Sequence, residues 1–544
     1  ALALIAITVL GFLMRYINIA NIPPGMHGDE AATGLAARQI MDEGWIGVYT
    51  GRAGGNPTGV YYMAVPFMKW IEDPVVAVRL LAVIGGTLAV TLLYILVRRS
   101  FGFGAAVVAG FALAIANWAI QFGRIGFVTV QWLPFGILGV ICLIEAMRSQ
   151  KWYWWIAAGI TLPSAMYMYN GQTPMLLLLL PFAAVGLFGF RFALALVVFA
   201  AAIREPNAWT IIPAILAFVF GMTSPAIRRS GVWVNAVAFT AALLITANKI
   251  LQFIRTYTDE YFDRSRTLSV FKTDDWKLQQ SLSDKAEFLV RRYWAFWDQV
   301  VFNPRPNGAD LSGITAQIPA LMFYLFVAGV VLAIIRRPGW PTLICLALAF
   351  VMPLSSVLTD NASRRSVIII AFVCVFIGIG IYELVRLAAN RGRVPGVIAG
   401  LVCVLLLAQV TWRNYDDFFN VTVPSESVAS TFGVDYRDAM EYMVDMPESD
   451  YVIFFCGRWS LRYDTGLLIA PDVRGEDRLE QWGGTGGYEV DRSLGDPVFV
   501  LMNGFQDRLP ALQALYPGGT VVVGPTADYL NTPSYIAYYL PPEP

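Results

Sequence analysis

Charge is scarce in this chain. Asp, Glu, Lys and Arg make up 14% of its 544 residues, against about 25% in an ordinary soluble domain. The hydrophobic residues, 57% of the total, gather in long runs. That excludes a soluble globule and indicates a polytopic α-helical membrane protein, because a helix satisfies its own backbone in hydrocarbon. Lys plus Arg and Asp plus Glu both number 39, so no basic excess marks a nucleic acid as partner. Cysteine is thin as well. Cys142, Cys345, Cys374 and Cys403 lie in apolar runs and Cys456 stands alone in a polar region, which leaves neither a disulfide framework nor zinc-binding spacing. The apolar runs also lack charge at their centres: Glu145, Glu383 and Arg79 all sit near ends. Ion-coupled carriers place such groups at membrane depth, so transport or lipid flipping is disfavoured.

What is present first sets a topology. Apolar runs fall near 1–18, 74–97, 103–120, 127–146, 152–168, 173–190, 192–203, 208–223, 231–250, 315–335, 341–358, 366–385 and 395–411. The run 192–203 is short against the roughly 20 residues a bilayer needs. The first run is followed by Arg15 and Tyr16, not by the small residues of a cleavage site, and so reads as a span. Alternate short loops carry Arg98 and Arg99, Arg148 and Lys151, Arg191, Arg228 and Arg229, Arg336 and Arg337, and Arg386, Arg391 and Arg393. The positive-inside rule makes these cytoplasmic. The expected architecture is a membrane domain, 1–411, in the cytoplasmic (inner) membrane, with outer loops 19–73 and 251–314. Residues 412–544 follow outside. One connection breaks the rule: "TDNASRRS", 359–366, should face outward yet holds Arg364 and Arg365. Either charge is tolerated there beside Asp360, or these arginines bind an anion.

The outward parts carry structure. "DEAATGLAARQIMDEGW" predicts a helix from about Ala31 with Gly44 as its stop, and "PTGVYYMAVPFMKWIEDP" predicts a helix along the membrane surface. Segments such as "TDEYFDRSRTLSVF" mix aromatics and arginines as interfacial segments do. From 412 onward "DYRDAMEYMVDM" and "RLPALQALY" read as helices. "DYVIFFC", "DPVFVLMN" and "TVVVG" read as strands, which makes a small α/β domain. It holds no Gly-rich phosphate loop and no nucleophile elbow.

The chemistry gathers at the outward end. "PPGMHGDE", 23–30, holds the single histidine of the chain, His27, and two adjacent carboxylates, Asp29 and Glu30. Arg124 in "QFGRIGF", Tyr167, Tyr169 and Asn170 in "YMYNGQTP", and Arg364 with Arg365 fall at the same face. Carboxylates beside separated arginines suit a reaction in which phosphate leaves. A carboxylate takes the proton of an acceptor hydroxyl, and arginines neutralise the departing phosphate. Each group also has an ordinary reading. Asp29 at a helix start reads as a cap as readily as a catalyst. His27, with no partner histidine, reads as an interfacial polar residue, and the tyrosines read equally as membrane-interface anchors.

The order of these motifs resembles the GT-C glycosyltransferases that use polyprenyl-phosphate sugars. These include protein O-mannosyltransferases and lipid A aminoarabinose transferases, and the likeness is strongest to bacterial multi-span proteins of the family-39 type. "PGMHGDEA", 24–31, is similar to the family's first-loop Pro-Gly-x-x-x-Asp-Glu-Ala pattern. "GRIG", "YMYNGQTP" and "NPRPN" resemble its later motifs, and Arg365 resembles its Arg before a late span. The resemblance covers roughly residues 1–410. It implies inverting transfer of a sugar from a polyprenyl-phosphate donor to a lipid, glycan or protein acceptor at the outer face. Asp29 would be the catalytic carboxylate, with Glu30 beside it. Arg124, Arg365 and Arg364 would meet the donor phosphate, and Tyr169, Asn170, Asn56, Arg305 and His27 would contact substrate. Asn56 stands where aminoarabinose transferases have a phosphate-binding lysine. No cofactor is implied, and a divalent metal ion is left open. A non-catalytic GT-C-like subunit of a larger membrane complex is the alternative. The enzyme reading requires the side chains at 29, 124 and 365 to converge on one pocket.

Overall fold

The computed structural model describes residues 1–170, 173–195, 208–305, 314–359, 363–527 and 529–542. Six helices are long and apolar enough to cross a membrane: Pro74–Ser100, Val128–Ser149, Val232–Thr256, Trp340–Val357, Ile369–Ala389 and Arg393–Thr422. Shorter apolar helices are Leu2–Tyr16, Phe103–Ile115, Thr173–Phe188, Ile212–Met222 and Ala320–Arg336. A further helix, Trp152–Ser164, matches the run at 152–168. Of the expected spans, 192–203 falls largely outside the described residues. The span expected over 103–120 is broken instead of continuous. Its helix ends at Ile115, Ala116 is extended (φ −63°, ψ 123°), and a short helix restarts at Asn117. The break has a partner: the Asn117 N–H, freed from the ladder, donates to Asn414 Oδ1 at 2.7 Å.

Ile369–Ala389 is the central helix, buried around nearly its whole circumference. Glycines let its neighbours reach its backbone. A Cβ on Gly378 would lie 2.5 Å from the Ala105 carbonyl oxygen, and one on Gly380 would lie 2.7 Å from Gly329 Cα. Gly329 in turn rests on the carbonyl of Phe376. Small residues at such crossings are how helices associate where lipid removes the hydrophobic drive.

The connections sort onto two ends of the bundle. At one, Arg99 and Arg148 reach Glu145 at 3.3 and 3.5 Å, Asn235 donates to the Gln150 carbonyl at 2.8 Å, and Arg337 and Arg386 bracket Glu383 at 2.6 and 3.6 Å. These are the arginine-bearing short loops. The long loops occupy the other end. There α1 (Leu2–Tyr16) leads into α2 (Gly28–Glu43), a hairpin of β1 (Tyr49–Thr50) and β2 (Asn56–Pro57), then α3 (Gly59–Trp70) and the spanning α4 (Pro74–Ser100). α2 begins three residues before the expected Ala31, because His27 caps it.

The C-terminal region is a five-stranded mixed sheet. Strands β3 (Asp450–Phe455), β4 (Gly475–Asp477), β5 (Asp496–Met502), β6 (Thr520–Val523) and β9 (Tyr535–Tyr539) run in the order β4-β3-β5-β9-β6. A small pair, β7 (Thr526–Ala527) with β8 (Thr532–Pro533), precedes β9. β3 pairs in parallel with β4 and β5, whereas β9 runs antiparallel to β5 and β6. The helices Val434–Val444 and Leu509–Leu515 fall where the pattern placed them. Strands β4 and β9 and the helix Asp464–Ile469 were not anticipated. Apolar residues face both sides of the sheet, one set packing on Tyr436, Met440 and Met443, the other on Leu512 and Tyr516.

This region is clasped to the membrane domain through α2. Met26 N–H donates to the Phe432 carbonyl at 2.7 Å, and Arg437 donates to the Ala20 carbonyl at 2.8 Å. Leu468 packs in one buried cluster with Met26, Ala31 and Val75. Introducing Gly329→Val should destabilise the protein by about 1–3 kcal/mol through overpacking against Phe376. A thermal melt in detergent measures it. Gly400, which has open space around it, is the control: Gly400→Ala should leave the melt unchanged or slightly raised.

Candidate functional site

The start of α2 is fixed by a buried electrostatic knot. His27 Nδ1 accepts the N–H of Asp29 at 3.0 Å, and Glu30 accepts the N–H of His27 at 3.1 Å, a reciprocal capping box. The His27 ring packs edge-on against Phe127 and Phe432. Glu30 is fully buried. It takes Arg79 Nε at 3.0 Å on one oxygen and Arg79 Nη2 at 3.2 Å on the other, and accepts the Gly126 N–H at 2.8 Å. Burial alone would raise the Glu30 carboxyl, but Arg79 and the two N–H donors outweigh it and hold it below its ordinary value. The guanidinium of Arg79 also donates to the carbonyls of Ile19, Ala20, Pro23 and Gly25.

With those groups committed, Asp29 is the carboxylate left to face a cavity. This opening, about 380 Å³ counting the solvent space at its mouth, is lined by Asp29, Asn56, Tyr61, Thr129, Tyr169, Arg264 and Arg364, with a wall of Ala53, Phe127 and Val128. Each comes from a separate segment: α2, the hairpin, α3, the helix at Val128, the turn after Trp152–Ser164, the helix Thr258–Thr267 and the turn Ser363–Ser366. Arg264 donates to the Ala53 carbonyl, which ties its helix to the hairpin. The Thr129 hydroxyl is shielded from solvent and has no hydrogen-bond partner among the described residues.

Two phenols flank Asp29. Burial first, then the Asp29 charge, pushes Tyr61 up, and the same two causes push Tyr463 up to about 12. Tyr463 belongs to the C-terminal region. Its hydroxyl lies against Gly28 so closely that no Cβ fits there. Asp464 beside it is raised by burial and by Asp29, against the pull of Arg52. An acid flanked by one buried and one half-buried phenol, sharing a small opening with two guanidinia, can accept a proton from a hydroxyl while an anion is held by the cations.

Several expectations need correction. The expected convergence of residues 29, 124 and 365 does not occur. Arg124 is buried below the cavity, where its guanidinium donates to the carbonyls of Met14, Ile17 and Ile22 and lies over Phe419. Burial, with Arg79 and Arg15 nearby, lowers it to about 9. Arg365 is 7% exposed and is not a lining residue, whereas its neighbour Arg364 is. Glu30 is held by Arg79 and has no face on the cavity, His27 serves as cap, and Arg305 is exposed away from the lining set. Asn170 lies in the turn beside Tyr169 and does not line the cavity itself. Asn56 and Tyr169 do line it. Sequence reasoning missed Arg264, Tyr61, Thr129 and Tyr463. Arg264 stood in a segment already marked by its arginines, but nothing in spacing chose it over Arg255 or Arg266. Among the described residues no group of three or more His, Cys, Asp or Glu side chains is placed to hold a metal ion.

The knot gives a prediction. Glu30→Gln removes one partner of a fully buried pair and should cost about 3–5 kcal/mol. Because the Glu30 carboxyl lies below its ordinary 4.5 in the folded state, its contribution is complete above that value and fades as pH falls through the folded value. Melts of the wild type from neutral to acid pH should show a loss that Glu30→Gln lacks.

Comparison with known proteins bears on the fold. The family model described as dolichyl-phosphate-mannose-protein mannosyltransferase matches residues 56–210. No curated protein matches the chain. Among solved structures, the apo oligosaccharyltransferase of Archaeoglobus fulgidus superposes with a TM-score of 0.51 at 13% identity, covering 99% of this chain and 74% of that one. AglB from the same organism, in complex with an inhibitory peptide and a dolichol-phosphate, gives the same figures. ArnT from Cupriavidus metallidurans bound to undecaprenyl phosphate is a looser match, with a TM-score of 0.45 at 12% identity over 98% of this chain and 97% of that one. These likenesses show the fold: over nearly its whole length this helical membrane protein shares the fold of the archaeal oligosaccharyltransferase.

Proposed function

We propose that the protein transfers a sugar from a polyprenyl-phosphate donor to an acceptor hydroxyl, with Asp29 as the catalytic carboxylate. The set first expected, 29 with 124 and 365, is not assembled, and the reading rests instead on a different pair of cations: Asp29 shares one cavity with Arg264 and Arg364, which come from separate outer segments. The family model over 56–210 supports the donor class. So does the dolichol-phosphate held by the archaeal oligosaccharyltransferase, whose fold this chain shares.

In this reaction the acceptor oxygen attacks the anomeric carbon of the sugar. Asp29 takes the hydroxyl proton as the new carbon–oxygen bond forms. The bond from the anomeric carbon to the phosphate oxygen breaks on the opposite face, so configuration inverts. The electron pair leaves with the polyprenyl phosphate, whose added charge is met by Arg264 and Arg364. Asp29 sits in the first turn of α2, at the positive end of the helix dipole. Asn56, Thr129 and Tyr169 offer hydrogen bonds to the sugar. The loops face the extracytoplasmic side of the inner membrane, and the C-terminal region lies on that side with them. The acceptor is a lipid, a glycan or a protein.

The test is transfer of radiolabelled mannose, and then of other sugars, from polyprenyl-phosphate donors by the purified protein in lipid nanodiscs. Asp29→Asn should lower turnover by about 10²–10⁴-fold with little change in donor affinity. Equal rates for wild type and Asp29→Asn would remove Asp29 from catalysis. A wild type inert toward every donor would favour the non-catalytic subunit. Arg264→Ala and Arg364→Ala should each lower kcat/KM by about 10²–10³-fold if they hold the leaving phosphate.

A further inference from the structure

A second cleft lies where the C-terminal region meets α2 and the start of α4, at the opposite end of the helix Asp464–Ile469 from Tyr463. It holds about 1000 Å³ of empty space. Its charged residues are Arg38, Glu72, Glu448, Asp450, Asp472 and Arg474. Four are acidic and two basic, and both arginines are already engaged. Arg474 donates to the carbonyls of Glu448 and Leu494 at 3.4 and 2.6 Å. Arg38 donates to the Leu467 carbonyl at 3.4 Å and stands near Asp472 and Asp42.

Asp450 is the unusual member. It is 9% exposed, and its Oδ2 is shielded from water with no hydrogen-bond partner among the described residues. It opens β3 directly beside Asp496, its register partner on β5. Ser449 is the polar neighbour of this carboxyl, and among the described residues no cation meets its orphaned oxygen; a buried carboxylate so placed beside a second one is costly, and a cation is the natural remedy. The other walls are aliphatic, from Met443, Met446, Ile469 and Val473, and no aromatic ring lines the cleft. A sugar chain is commonly stacked on aromatic rings, so the lining does not favour a glycan. No metal-holding group exists here among the described residues.

We propose that this cleft receives a lysine or arginine side chain of a polypeptide. The aliphatic stem lies along the methionine and valine wall, and the cationic head meets Asp450, the division of labour long basic side chains adopt elsewhere. Glu72, Glu448 and Asp472 draw the basic segment in. The proposal does not depend on sugar transfer, and its test reads binding alone.

The experiment uses the full chain in detergent micelles and an otherwise uncharged nine-residue peptide, labelled with fluorescein, with one central lysine. Fluorescence anisotropy should show saturable binding that acetylation of the lysine removes. Asp450→Asn should weaken binding about tenfold or more, the scale of a hydrogen bond to a charged group. Its melting temperature should be unchanged or raised, since it removes an unpaired buried charge. Glu72→Lys, on the exposed opposite wall, should also weaken binding without touching the sheet. The proposal is overturned by any of three results: no saturable binding of the lysine peptide, equal binding of the acetylated peptide, or displacement of the peptide by a neutral oligosaccharide such as maltoheptaose.

Discussion

The ion pair between Glu30 and Arg79 is the constraint on which this end of the molecule depends. Both side chains are fully removed from water, and such a pair survives only when every remaining donor and acceptor is used. Here they are. Arg79 spends its other hydrogens on carbonyls of the 19–25 segment, and Glu30 takes backbone N–H groups from His27 and Gly126. One residue pair therefore fixes the end of the first span, the entry to α2 and the turn after Gln121. Arg124 repeats the device on Met14, Ile17 and Ile22. With loop and helix held from beneath, Asp29, the next residue along, is presented to the cavity with little freedom to turn away.

Placement of the cations follows from the same logic. An arginine whose guanidinium is committed to buried carbonyls, or to a buried carboxylate as well, is structural, however suggestive its position in the chain. Arg124 and Arg79 are of this kind. Arg364 and Arg264 reach the opening from surface segments, which makes them the better partners for a ligand's charge in the proposed transfer. The turn that broke the loop charge rule holds both Arg364 and Arg365, and of the two only Arg364 lines the cavity.

The sequence revealed most of the scaffold and part of the site. Helices in the membrane domain were legible because apolar runs have few alternatives in lipid. The central strands β3 and β5 were legible from their β-branched and aromatic content. The break at Ala116 was not, since it answers to Asn414, nearly three hundred residues away and bonded only once the chain is folded. The pair of carboxylates at 29 and 30 was visible, but not that one would be consumed by Arg79 and the other left available. That division is decided by which side of α2 faces the core. Arg264 and Tyr463 escaped for a related reason: each joins the cavity through tertiary contact, and neither lies in a local pattern that separates it from similar residues nearby.

The contact of Tyr463 with Gly28 also has a bearing on timing. Gly28, one residue before Asp29, is covered by Tyr463, more than four hundred residues later in the chain. Each of the six long apolar helices precedes Tyr463 in the chain, so those helices are made before this contact can form.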